Sequence, residues 1–167
     1  MTSIRTEKLI KVGMADWKLA FSPQVLRTSG LGSCVGIVVY DSQKKVGALS
    51  HIMLPDSTLA KDGKVNRAKF ADTALNDIVS ELVSKGCALP SLKAKMAGGA
   101  QMFRFTSGTD MMRIGPRNVD AVKKALMENN IPLLAEDTGG NKGRTITFYP
   151  ETGCLHIRTI HEGEQVI

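Results

Sequence analysis

Aromatic residues are scarce, with one Trp, two Tyr and five Phe in 167 residues. So few rings leave little stacking surface for the bases of single-stranded nucleic acid. Cysteine is scarce as well, and odd in number: Cys34, Cys87 and Cys154. No two cysteines have C-x-x-C spacing and no two of the three histidines have H-x-x-x-H spacing, which argues against a structural zinc site. Three cysteines in an intracellular chain are expected to be free thiols. No apolar run approaches the roughly 20 residues of a membrane span. The first residues, Met1 to Lys8, carry charges with no apolar stretch behind them, so neither signal peptide nor membrane insertion is expected. Internal repeats and low-complexity stretches are also missing. The expectation is a cytoplasmic protein.

What is present is ordinary for a soluble domain: 43% apolar and 23% charged residues. The length fits a single domain over residues 1–167. A chain of this size buries about 70% of the surface its unfolded form exposes, enough for a core without disulfide or metal. The net charge of +6 favours an acidic partner. The basic residues are scattered, adjacent only at Lys44-Lys45 and Lys123-Lys124, so nucleic acid is not an expected partner.

The first quarter reads as strands. Lys8–Val12 and Trp17–Phe21 alternate apolar and polar residues, and a third strand, Gln24–Thr28, follows Pro23. Ser29-Gly30-Leu31-Gly32-Ser33 reads as a glycine-rich loop. The apolar, β-branched runs Cys34–Tyr40 and Val46–Leu54, with a short polar break, predict a hairpin. A helix is predicted from about Asn66 to Lys85, where Ala71, Leu75, Ile78, Val79 and Leu82 share one face and Gly86 closes the end. A strand near Leu92–Ala97 leads to Gly98-Gly99-Ala100. A second helix is predicted over roughly Asn118–Asn129, with Asn118 at its start. Strands near Leu133–Glu136, Thr145–Tyr149 and Leu155–Ile160 complete the pattern. Many strands adjacent in sequence with two helices predict an α+β fold with antiparallel pairing.

The hairpin carries a chemical expectation. If its loop is Asp41–Lys44, Tyr40 faces Lys45 and Cys34 falls directly opposite His51 on one side of the sheet. A loop one residue shorter or longer sends His51 to the other face. A thiol beside an imidazole is a usable nucleophile, because the imidazole takes the thiol proton or lowers its pKa. Backbone N–H groups of the preceding loop, around Gly30, Gly32 and Ser33, are candidates to hold an oxyanion. Thr28, Ser29 and Ser33 are candidates to orient the pair. The competing reading is a buried structural cysteine and a hydrogen-bonded core histidine. The other face, Val35, Ile37 and Val39 with Val46, Ala48 and Ser50, is suited to a core.

Gly32-Ser33-Cys34-Val35-Gly36 fits the spacing of a nucleophile elbow, but that motif needs a following helix and a strand is predicted here. Gly30-x-Gly32 likewise fails as a dinucleotide fingerprint. Gly139-Gly140-Asn141-Lys142-Gly143-Arg144 is a basic turn, with Arg144 a candidate contact to an anionic partner or substrate. Phe103, after Gly98-Gly99-Ala100-Gln101-Met102, is a candidate exposed anchor. His156 and His161 read as surface residues, Cys87 and Cys154 as structural, and the eight methionines mostly as core filler.

Taken in order, several of these pieces resemble one family. They are Thr28-x-Gly30-Leu31-Gly32-Ser33-Cys34-Val35, His51-Ile52-Met53-Leu54-Pro55, Gly98-Gly99-Ala100-x-Met102-Phe103, Ile114-Gly115-x-Arg117-Asn118 and Asp137-x-Gly139-Gly140-x-x-Gly143-Arg144. The combination resembles the CheD chemoreceptor glutamine deamidases and spans nearly the whole chain. The resemblance implies Cys34 as nucleophile, His51 as base and Thr28 as the third active-site residue, with no metal or organic cofactor. It implies a β-sandwich of mixed sheets with helices on one side, similar to the catalytic domain of cytotoxic necrotizing factor toxins. It also implies partners: the cytoplasmic helical region of methyl-accepting chemotaxis receptors and, in many species, the phosphatase CheC.

Overall fold

The structure is a computed structural model that describes residues 8–60, 66–102 and 113–167. Among these residues, ten strands form two five-stranded sheets. The first sheet has the order β1 (Leu9–Lys11), β3 (Val25–Leu31), β8 (Arg144–Tyr149), β9 (Cys154–Thr159), β10 (Gly163–Val166). The second has the order β2 (Trp17–Phe21), β5 (Val46–Ile52), β4 (Val35–Asp41), β6 (Lys93–Gly98), β7 (Leu133–Thr138). Two helices, α1 (Ala71–Ser84) and α2 (Ile114–Glu128), pack on the second sheet and on each other. The layers are therefore sheet, sheet, helices, in keeping with the expected sandwich.

β4 and β5 are buried along their whole length because both faces of the second sheet are covered. That is why both strands read as nearly continuous apolar runs rather than alternating ones. Val35, Ile37, Val39, Ala48 and Ile52 meet Leu75, Ile78 and Val122 of the helices. Val38, Tyr40 and Leu49 face the other way, onto Leu26, Ile146 and Phe148 of the first sheet. Cys34 belongs to this inter-sheet cluster.

Pairing is mostly antiparallel, with two exceptions. β1 runs parallel to β3, and β6 runs parallel to β7 with α2 as the crossover, so one βαβ unit stands inside an otherwise antiparallel fold. The glycine-rich stretch after Thr28 is not a free loop. β3 continues to Leu31 through a bulge between Thr28 and Leu31, with Gly30 at φ +73°. β10 lay in the expected tail; its residues are all exposed, so no apolar alternation marked it.

The hairpin register differs from the expected one. Val35 pairs with Ile52, Gly36 with His51 and Asp41 with Val46, so the loop is Ser42–Lys45. The Asp41 carboxylate accepts the N–H groups of Gln43 and Lys44, which keeps Asp41 in the strand and starts the turn one residue later. Lys45 closes the turn at φ +53°. The shift is by two positions in the pairing, so face parity is kept. His51 remains on the side of Cys34 but lies opposite Gly36, as a diagonal neighbour of Cys34.

α2 begins four residues before the expected start. Gly115 and Pro116 read as breakers, yet proline is tolerated in a first turn, where its missing N–H has no intrahelical partner. Asn118 is therefore inside the helix and does not cap it. The first helix, by contrast, is shorter than expected. A separate 3-10 turn occupies Arg67–Lys69 and α1 starts at Ala71, while Gly86 at φ +95° follows its end as expected.

Candidate active site between the two sheets

Three side chains of the expected set converge between the sheets: Thr28 from β3, Cys34 just before β4, and His51 near the end of β5. Cys34 is 7% exposed, Thr28 2% and His51 0%. Cys34 is thus the most exposed of the three residues and His51 the least.

Thr28 Oγ1 lies 2.7 Å from His51 Nδ1. The same hydroxyl donates to the carbonyl oxygen of Val12 at 2.8 Å. A threonine hydroxyl has one proton, and Val12 O can only accept, so that proton is committed. Thr28 must then accept from His51, which assigns the ring proton to Nδ1 and the lone pair to Nε2. Nε2 is buried and makes no hydrogen bond to the described residues. The backbone of His51 is held from both sides, its N–H donating to Asp16 O and its carbonyl accepting from Ala15.

Burial sets the protonation of the pair. It pushes the His51 pKa below the ordinary imidazole value, because a buried imidazolium loses its hydration. Burial also pushes the Cys34 thiol up, partly offset by its own backbone N–H, which favours the thiolate. Both directions favour the uncharged forms at neutral pH, a thiol and a neutral imidazole. Such a site works by general-base removal of the thiol proton during attack.

The segment carrying Cys34 is anchored by backbone bonds. Gly99 N–H donates to Cys34 O at 2.8 Å and Ala100 N–H to Gly32 O at 2.8 Å. Gly98 adopts φ +113°, and a Cβ there would sit 2.3 Å from Cys34 O, so only glycine lets β6 run this close. Gly32 N–H turns back to Gly30 O, while Ser33 N–H has no acceptor among the described residues. Of the expected oxyanion donors, Gly32 is therefore committed elsewhere and Ser33 is open. Met102 packs against Gly32 and is 43% exposed, on the approach to the segment.

Two other expected residues stand apart. Arg144 is not an exposed contact: it is 7% exposed, and its guanidinium donates to Asp137 Oδ2, Gly98 O and Gly139 O. It clamps the β7–β8 turn against the end of β6, an internal use for the charge. Phe103 lies outside the described residues. Asn118, read from the sequence as a helix cap and as part of the family motif, is buried inside α2. Its Nδ2 donates to Ser33 O and Met53 O, each at 3.0 Å. Its place in Ile114-Gly115-x-Arg117-Asn118 was the available signal. Cys34, Cys87 and Cys154 are free thiols. No group of three His, Cys, Asp or Glu side chains among the described residues is placed to hold a metal. No helix among them is long and apolar enough to cross a membrane.

Comparison with known proteins places these features in context. The sequence model of the family described as CheD chemotactic sensory transduction matches residues 53–159. That match begins just after His51, but full-length relatives extend across the site. A protein of Halalkalibacterium halodurans named chemoreceptor glutamine deamidase CheD is 61% identical over 159 residues, 95% of this chain and 98% of the relative. The protein of that name in Bacillus subtilis is 55% identical over 159 residues, 95% of this chain and 96% of the relative. A protein of Oceanobacillus iheyensis named probable chemoreceptor glutamine deamidase CheD is 52% identical over 162 residues, 97% of each chain.

Proposed function

The chain belongs to the CheD family, and from that premise we propose that it is a chemoreceptor glutamine deamidase with Cys34 as nucleophile, His51 as base and Thr28 as the residue that orients the base. The observation that carries the assignment is the unpaired, buried Nε2 of His51, left with its lone pair by the Thr28 contact, on the sheet face that Cys34 shares.

His51 Nε2 takes the thiol proton as the sulfur attacks the side-chain carboxamide carbon of a receptor glutamine. The carbonyl oxygen becomes an oxyanion, for which Ser33 N–H is the open donor. The tetrahedral intermediate collapses, the C–N bond breaks, and His51 returns the proton to the departing ammonia. His51 then takes a proton from water, which attacks the thioester carbon. The second tetrahedral intermediate collapses, the C–S bond breaks, and His51 returns the proton to the sulfur, leaving glutamate and the restored thiol. No step calls for a metal or an organic cofactor.

The neutral amide becomes a carboxylate, a change in receptor charge and in the sites open to methylation. We place this reaction in the cytoplasm, on the helical region of methyl-accepting receptors, with residues 1–167 acting as one domain. The +6 charge suits an acidic coiled-coil surface. A CheC-type phosphatase is a further partner that the resemblance carries, whereas nucleic acid is not among the proposed partners. A thiol methylesterase acting on receptor glutamyl esters is the chemical rival.

The test is mass spectrometry of a receptor cytoplasmic fragment incubated with wild-type protein or with Cys34→Ala. Glutamine-to-glutamate conversion that requires Cys34 supports the proposal. Conversion at the wild-type rate by Cys34→Ala overturns the mechanism, and preferential cleavage of a glutamyl methyl ester favours the esterase.

A further inference from the structure

Cys34 and His51 both sit at the margin of the sheet that carries them. Cys34 precedes β4, whose ladder starts at Val35, and His51 is the penultimate residue of β5. Strand pairing alone does not lock the chain just outside the ladder. The ladder leaves Cys34 one residue outside it, so the place of the thiol relative to His51, its diagonal neighbour, depends on contacts from other elements.

From the geometry we infer that Asn118 is the positioning residue that holds nucleophile and base in register. It is fully buried in α2, on a different element from either partner. One Nδ2 proton goes to Ser33 O, the carbonyl directly before Cys34, and the other to Met53 O, two residues after His51. Because both acceptors are backbone carbonyls, the orientation of the amide is fixed: nitrogen, not oxygen, faces them. One planar group therefore bridges the two chain segments that bear the reacting side chains. Asn118 Oδ1 is buried without a partner among the described residues. Keeping an unsatisfied acceptor buried is costly, and a side chain selected only for packing would not carry one. The helix itself is seated tightly, since Gly115 lies against the carbonyls of Gly99 and Ala100, the segment that also bonds Cys34. α2 thus reaches the nucleophile segment by two routes, and the Asn118 amide also reaches the residue that follows β5, at Met53 O.

This inference rests on the reading of Cys34 and His51 as nucleophile and base, so its test needs a readout that can judge each separately. Alkylation of Cys34 by iodoacetamide, followed on the Cys34 peptide by mass spectrometry across a pH series, requires no receptor. Wild type is compared with His51→Ala, Asn118→Ala and Asn118→Ser, all checked for folding by near-ultraviolet circular dichroism. His51→Ala defines the profile without the base. Asn118→Ala is expected to move to that profile, with the neutral-pH rate down roughly tenfold and kcat for deamidation down by about as much at nearly constant KM. Asn118→Ser, with one shorter donor, is expected to fall between and is the milder change should Ala fail to fold. A folded Asn118 variant with the wild-type alkylation profile overturns the inference. Identical profiles for wild type and His51→Ala overturn the base assignment itself and the inference with it.

Discussion

Thr28 and His51 join the two sheets of the sandwich through a single contact, Oγ1 to Nδ1 at 2.7 Å. Thr28 lies in β3 of one sheet and His51 in β5 of the other, so the state of the imidazole depends on how the sheets are stacked. The hydroxyl can hold the ring only because its own proton goes to Val12 O. Three residues from separate strands and a loop therefore set one tautomer.

Replacing Thr28 by Val keeps the shape and removes that contact. The Val12 carbonyl and the Nδ1–H are left buried without partners, at a cost of about 1–3 kcal/mol. The ring is then free to take the other tautomer, which puts a proton on Nε2 where a lone pair is needed. Deamidation is expected to drop on the order of a hundredfold, within the range a positioned base contributes. Thr28→Ser restores the hydroxyl and is expected to stay within about tenfold of wild type. Nitrogen-15 shifts of the His51 ring read the tautomer directly. A Thr28→Val protein that keeps both the Nδ1–H tautomer and full activity would remove the positioning role.

The neutral resting pair makes a pH prediction for activity. The base works only when unprotonated, and its pKa lies below the ordinary imidazole value. The thiol pKa lies above its ordinary value. kcat/KM is therefore expected to be flat from about pH 6.5 to 8.5, the interval between the two ordinary values, with its acid limb below that interval. The accompanying spectrum should show no thiolate absorbance at pH 7 relative to Cys34→Ser. Thiolate absorbance at neutral pH would mean a preformed thiolate–imidazolium pair and a different proton inventory.

The same burial has a consequence for stability. His51 binds its proton more weakly in the folded state than in the unfolded state, so acid favours unfolding. Its contribution is fully present above about pH 6.5 and is lost as pH falls from there through the lower folded-state pKa. A His51→Gln protein lacks this titration. Urea midpoints at pH 7.5 and pH 5 should fall further for wild type than for the variant. Equal losses would assign the acid sensitivity to other groups.

The expectation that Cys34 and His51 share a sheet face survives the two-position slip of the hairpin because face parity is kept, whereas only the family resemblance joined Thr28 to the pair. The slip itself was not legible, because whether Asp41 ends the strand or opens the turn depends on its carboxylate accepting two N–H groups. Arg144 looked like a surface charge because its partners, Asp137 and the carbonyls of Gly98 and Gly139, assemble only where the two sheets meet. Asn118 looked like a cap because Gly115 and Pro116 masked the true helix start, and its acceptors lie 85 and 65 residues away. β10 was missed because an exposed edge strand has no apolar face to announce it.

Gly98 offers a test of how tightly the nucleophile segment is held. Its φ of +113° is one that side chains rarely adopt, and an added Cβ would stand 2.3 Å from Cys34 O. Cys34 O is already engaged by Gly99 N–H, so the carbonyl cannot retreat without breaking that bond. Gly98→Ala is thus expected to cost about 2–4 kcal/mol, from backbone strain and overpacking together. It should also lower kcat in the protein that remains folded, because relief of the clash moves Cys34. Gly139→Ala separates the two effects. Gly139 has φ +86° and nothing within 4 Å of its built Cβ, so the substitution keeps the strain and omits the collision. Its cost is expected near 1–2 kcal/mol, the ordinary penalty for a left-handed residue. kcat below the melting transition should be unchanged in Gly139→Ala and reduced in Gly98→Ala. Equal kcat in both would show that the Cys34 backbone tolerates displacement, and that the close approach of β6 serves packing rather than the reaction.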